Sequence, residues 1–400
     1  MEHTAQPSQT PTEPAMTRRS QAISPFQVMA ILTEAQTLQA AGHDIIHLEV
    51  GEPDFPTPAP MIDAAFSALR AGKTGYTPAL GLPALREKLA EWYQQRFGIR
   101  VAASRIVLTP GASGALLLLA AARLESGDKL MLADPGYPCN RHFARLFEAC
   151  GQLIAAGPEQ RYQLTPAMLE QHWTPATRAA LVASPANPTG TVLNLTELSR
   201  LASTTERLGG ELWVDEIYQG LNYGSSPETV LAVADNAVVI NSFSKYFGMT
   251  GWRLGWAVVP EHWVPTLETL AQNVFLAPPT PAQHAAMAAF EPETLALLAE
   301  RRNILAERRD YLLTALPALG FVVPVAPDGG LYVYADASRF TDDSLAFCLR
   351  ALRETGVALT PGVDFGEYQA QTHIRFAFTA DLARLKQAVE RLSDWLVPRG

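Results

Sequence analysis

The hydrophobic pattern through the middle of the chain switches repeatedly between two periods. Short runs rich in Val, Ile and Leu, mostly bounded by Gly, Pro, Asn or Asp, occur at Ile106–Thr109, Lys129–Ala133, Ala179–Ala183, Leu212–Asp215, Val238–Asn241 and Leu254–Val258. Runs of that length and composition predict buried strands. Between them lie amphipathic stretches such as Gly114–Leu124, Asn140–Ala149 and Thr196–Leu208, which predict helices. Strand and helix in alternation predict an α/β layer with a largely parallel sheet. After Pro292 the pattern predicts one long helix, Glu293–Leu316, with Pro317 as its stop. Strands at Phe321–Val323, Leu331–Ala335 and His373–Phe378, with helices at Ser344–Thr355 and Ala380–Leu396, then predict a smaller α+β unit.

Composition narrows the class. The 400 residues are 48% hydrophobic and 18% charged, enough apolar material for a large core and too much for a disordered chain. With 31 basic and 40 acidic residues the net charge is −9. An acidic chain lacks the basic footprint of non-specific nucleic-acid binding and the polybasic cluster that holds a protein to an anionic membrane. Ala115–Ala122 is too short to span a bilayer, and Thr269–Phe290 carries three prolines and several polar residues. Three cysteines, Cys139, Cys150 and Cys348, form neither a disulfide framework nor a zinc spacing, which suits a reducing cytoplasm. The first 22 residues are polar, have no apolar h-region and are expected to be a disordered tail.

One stretch carries chemistry: Ser242-Phe243-Ser244-Lys245-Tyr246-Phe247-Gly248-Met249-Thr250-Gly251-Trp252-Arg253-Leu254-Gly255. A predicted strand ends in two hydroxyls and a lysine, and an arginine follows eight residues after the lysine. A lysine amine can condense with an aldehyde, while hydroxyls and a guanidinium bind an anion. Pyridoxal phosphate, an aldehyde carrying a phosphate, needs both. The fourteen-residue pattern resembles the lysine signature of the class I/II aminotransferases, the fold-type-I pyridoxal-phosphate enzymes of the aspartate aminotransferase superfamily. The resemblance runs from about Ile23 to the C-terminus.

The resemblance implies roles for further residues. Asp215, ending the predicted strand Leu212–Asp215, matches the acid that pairs with the cofactor's ring nitrogen. Tyr218 and Asn187, the latter in Ser184-Pro185-Ala186-Asn187-Pro188, match the two partners of the phenolic oxygen. Gly111, Ala112 and Ser113 link a predicted strand to a helix, a place where small residues and a helix N-terminus favour a phosphate. With Ser242, Ser244 and Arg253 they match the phosphate cup. Tyr137 matches the aromatic stacked on the ring, and Tyr76 a tyrosine lent to the neighbouring subunit's phosphate. Arg375, alone among apolar residues in His373–Phe378, matches the arginine that clamps the substrate carboxylate, with Gly51 and Asn187 beside it. Ile23–Phe26 matches a segment that often covers the site. His43 and His47 are four apart on a predicted strand over Asp44–Val50, a step that separates their side chains by roughly 13 Å, too far for one metal.

The implied fold is a large domain (residues 59–300) with a mostly parallel seven-stranded sheet flanked by helices. A smaller α+β domain would be formed by both chain ends (23–58 and 301–400). The implied enzyme is a cytoplasmic homodimer with shared active sites, acting on an amino acid and a 2-oxo acid. Two devices that the family uses for a second substrate carboxylate are missing: no Lys or Arg lies between Arg253 and Arg301, and the cup holds Ser113 rather than a lysine. Neutral or aromatic L-amino acid donors are therefore expected. A carbon–sulfur β-lyase and an aspartate-type dicarboxylate aminotransferase remain alternatives, since both would carry the same cofactor residues.

Overall fold

The computed structural model describes residues 16–224 and 226–397. Its strands, in chain order, are β1 (Ile46–His47), β2 (Ile106–Thr109), β3 (Lys129–Asp134), β4 (Cys150–Ala155), β5 (Thr177–Ala183), β6 (Glu211–Asp215), β7 (Val238–Ser242), β8 (Gly255–Val258), β9 (Tyr332–Asp336), β10 (Val357–Ala358), β11 (Thr360–Pro361) and β12 (His373–Ala377). Seven of them form the main sheet, in the order β2-β8-β7-β6-β5-β3-β4. Strand β8 is antiparallel to both neighbours, and every other pair is parallel. Side chains leave a strand alternately to its two faces, and here each face meets its own core. On β6 and β7, Leu212, Val214 and Val239 pack into one cluster, while Trp213, Val238 and Ile240 pack into the other.

Strand β4 had no counterpart among the predicted strands. It is the sheet's edge, and its sequence Cys-Gly-Gln-Leu-Ile-Ala has only one fully buried residue, so it lacks the apolar run of a central strand. The helix expected to reach Ala149 ends at Leu146, where the chain turns through Glu148 at φ 61° into β4.

Beyond the sheet, one helix spans Pro292–Leu319. Pro317 lies inside its last turn rather than stopping it; Gly320, at φ 101°, provides the left-handed cap. A proline so near the end removes only one of the last backbone hydrogen bonds. Strands β11, β12 and β9 make a small antiparallel sheet. The strand expected over Phe321–Val323 is reduced to a bridge between Val322 and Asp336, and that over Asp44–Val50 to β1, which pairs with β10 from late in the chain. Buried Arg308 ties these parts together. It pairs in two-pronged fashion with Asp54 (2.8 and 3.0 Å) and donates to the Thr379 carbonyl at 2.7 Å.

Arg18–Gln21, inside the segment expected to be a tail, forms a single helical turn capped by Thr17; residues 1–15 lie outside the described residues. Among the described residues, no helix is long and apolar enough to cross a membrane.

Candidate active site

In a parallel sheet the carboxyl ends of adjacent strands open onto one crevice. The ends of β3, β5, β6 and β7 here deliver Tyr137, Asn187, Asp215 and Lys245 to one cavity of about 360 Å³. Asp215 and Lys245 are thirty residues apart in sequence, but β6 lies beside β7. The Lys245 amine donates to the Gly51 carbonyl at 2.7 Å. Asp215 is 5% exposed, and its Oδ1 accepts from the Ile217 amide at 3.0 Å. Burial pushes its carboxyl up to about 6. The Tyr218 hydroxyl lies 2.9 Å from that of Tyr332, and burial pushes it well above the ordinary phenol range.

The anion end forms where the Gly111–Arg123 helix starts. Gly111 has φ 69°, and a β-carbon there would sit 2.6 Å from Arg253 Nη2, so only glycine lets the guanidinium lie against this turn. Ala112, Ser113, Ser244 and Arg253 all line the cavity. Ser242 does not. Its hydroxyl is buried behind Ser244, 2.9 Å from Ser244 Oγ and 3.1 Å from the Leu254 carbonyl, and it accepts from the Ser244 amide at 3.0 Å. Its bonds to Ser244 and to the Leu254 carbonyl hold Ser242 beneath Ser244 as a support.

At the opposite end stands Arg375, 5% exposed on β12. Nη1 donates to Asn187 Oδ1 at 2.9 Å, and Nη2 to the Glu49 carbonyl (2.5 Å) and Thr360 Oγ1 (3.1 Å). Its Nε is buried without a partner. The guanidinium carbon lies 4.0 Å from the Tyr332 ring centroid and 4.9 Å from that of Phe365. Gly51 is pressed against Tyr332, so closely that a β-carbon there would fall 1.6 Å from the tyrosine oxygen. Tyr76 is 84% exposed and is not among the cavity's lining residues.

Sequence reasoning missed Tyr332, Asp364 and Phe365, which all line the cavity. Tyr332 follows Gly329-Gly330-Leu331, and a glycine pair before a predicted strand was the one local hint of a close approach. It also missed Val28, Met29 and Leu32, which continue the wall begun by Phe26 of the expected covering segment. Of the histidine pair, His47 bonds Glu49 (2.7 Å) and Gln39 (3.1 Å).

The donor set fits pyridoxal phosphate. A buried carboxylate with spare acceptor capacity calls for an N–H partner, and it shares the cavity with a primary amine and with an arginine at a helix start.

Comparison with known proteins agrees. The profile of the family described as aminotransferase class I and II matches residues 43–392. A valine–pyruvate aminotransferase of Mycobacterium tuberculosis is 40% identical over 376 residues, covering 94% of this chain and 97% of the relative. A crystal structure of an aminotransferase from the same organism superposes with a TM-score of 0.92 at 40% identity, covering 96% of this chain and 99% of that one. The aspartate aminotransferase of Thermus thermophilus with maleate gives 0.90 at 33% identity, covering 95% and 99%.

Proposed function

Because the chain belongs to the class I and II aminotransferases, and is a pyridoxal-phosphate-dependent transaminase acting between an amino acid and a 2-oxo acid, we propose that its preferred donor is a neutral, apolar or aromatic L-amino acid. One observation carries this reading. The cationic side chains lining the cavity are Lys245, Arg253 and Arg375, and each has a task at the cofactor or the α-carboxylate. Among the described residues of this wall none is left for a second carboxylate, Arg141 lining an adjoining pocket instead, whereas Phe26, Val28, Met29, Leu32, Leu116 and Ile217 offer apolar surface. The M. tuberculosis relative, named for valine and pyruvate, is consistent with it.

The residues divide the work as follows. Asp215 would hold the ring nitrogen, Tyr218 and Asn187 the phenolic oxygen, and Tyr137 the ring face. Gly111, Ala112, Ser113, Ser244 and Arg253 would hold the phosphate, with Ser242 fixing Ser244. Pyridoxal phosphate, when bound, supplies an electron-poor ring that takes up the electron pair left when the substrate's Cα–H bond breaks. Arg375 grips the α-carboxylate in two-pronged fashion, oriented by Asn187, the Glu49 carbonyl and Thr360. That grip turns Cα–H towards Lys245, whose Nζ accepts the proton and later returns it. Gly51, through its carbonyl, holds the Lys245 amine in place.

We read residues 23–58 and 301–400 as one small domain against a large domain of 59–300. We also read the enzyme as a cytoplasmic homodimer in which the exposed Tyr76 reaches the partner's phosphate. The deciding experiment is a panel of amino donors with pyruvate or 2-oxoglutarate. Valine, leucine or phenylalanine should outperform aspartate and glutamate in kcat/KM. A preference for aspartate would overturn the neutral-donor reading, and release of ammonia and pyruvate without an acceptor would mark a β-lyase.

A further inference from the structure

The helix Gln27–Ala40 begins without a side-chain cap of its own, since Phe26 stands at its N-cap. A helix start leaves several N–H groups without intrahelical partners. Two of these, on Gln27 and Val28, donate to Asp364 Oδ1 and Oδ2, each at 2.8 Å. Asp364 lies more than 330 residues further along the chain, in the turn Gly362–Asp364, and is 5% exposed. The first turns of that helix, with Phe26, supply the apolar wall: Phe26, Val28, Met29 and Leu32. The Phe26 ring centroid lies 6.3 Å from that of Tyr137. The chain just before it is held at the surface by Arg145, which donates to the Ala22 carbonyl at 3.2 Å.

We propose that Asp364 is a positioning residue for substrate selectivity, a carboxylate latch that docks the start of this helix so that its apolar side chains form the pocket for the donor's side chain. The inference rests on the neutral-donor reading above. A carboxylate offers an acceptor to each amide. Asparagine offers one, and turns its own N–H groups on the other amide, so Asp364→Asn keeps the volume and breaks the latch.

The test uses the full-length holoenzyme. Single-turnover half-reactions with valine and with alanine, followed by cofactor absorbance, give the selectivity between them, and hydrogen exchange reads the amides of residues 23–32. D364N should speed exchange in that segment at least tenfold and lower the valine-to-alanine selectivity about tenfold, the scale of a lost apolar side-chain contact. L32A, which trims the wall and spares the latch, should lower selectivity without the exchange change. Equal loss with both donors, or unchanged exchange in D364N, overturns the latch. A selectivity change in L32A but not in D364N leaves the wall standing and refutes the latch. A wild-type preference for dicarboxylates sinks the neutral-donor reading and the pocket with it, while the exchange result still judges the latch by itself.

Discussion

Asp215→Asn should stabilise the cofactor-stripped protein and weaken the cofactor-loaded one. Asp215 sits at the end of β6, 5% exposed, and accepts a hydrogen bond from the Ile217 amide. Burial raises its carboxyl from an ordinary 3.8 to about 6. The folded state therefore binds this proton more tightly than the unfolded state does. Stability falls as pH rises from about 4 to about 6, and above that the whole penalty is present. At roughly 1.4 kcal/mol per pH unit it amounts to about 3 kcal/mol. Asparagine keeps the acceptor for Ile217 and carries no charge to desolvate. For a chain of this length unfolding as one unit, about 3 kcal/mol corresponds to roughly 3–4 °C in Tm. Thermal unfolding of stripped wild type and variant, read by tryptophan fluorescence, should show the variant higher by that amount at pH 7.5 and by about half of it at pH 5. Adding pyridoxal phosphate should reverse the order, because only the carboxylate gains a charged partner. A stripped variant no more stable than wild type, or a gap that widens as pH falls, would show that burying the Asp215 carboxylate costs nothing.

Two further outcomes follow from the carboxylate end of the cavity. Arg375→Lys keeps the charge and loses the two-pronged grip; one charge-assisted hydrogen bond is worth about 1.5–3 kcal/mol, so kcat/KM should fall roughly 10- to 100-fold. The loss should appear mainly in KM, since the carboxylate is held throughout the reaction, and an unchanged KM in steady-state assays would exclude the role. Gly51→Ala places a methyl 1.6 Å from the Tyr332 oxygen, which must then leave Tyr218. Misplacement on that scale should cost about a hundredfold in kcat while circular dichroism stays unchanged, and full activity would show that the tyrosine pair is dispensable.

The large sheet was legible because its central strands are short apolar runs buried on both faces; β2 was predicted to the residue. Edge strand β4 was not, because half-exposed edges mix polar and small residues. Pro317 misled because a proline is costly in a helix interior but cheap in the final turn. In the site, Lys245 and Arg253 stood out by their spacing after a strand end, and Asp215 and Asn187 were named because their motifs resemble the family's. Ser242 was placed one layer too far forward, because spacing puts it near the cavity while burial behind Ser244 keeps it from the wall.

The amino-acid sequence by itself therefore determined the central strands of the sheet, the family and the cofactor chemistry, since these depend on groups set within a few residues of strand ends and helix starts. The tertiary structure decided what surrounds the substrate. Tyr332 meets Tyr218 across 114 residues, Glu49 meets Arg375 across 326, and Asp364 holds Gln27 across 337. Contacts of that span leave no periodicity in the chain. They arise only in the folded chain, where β1 pairs with β10 and sets residues 46–47 beside 357–358.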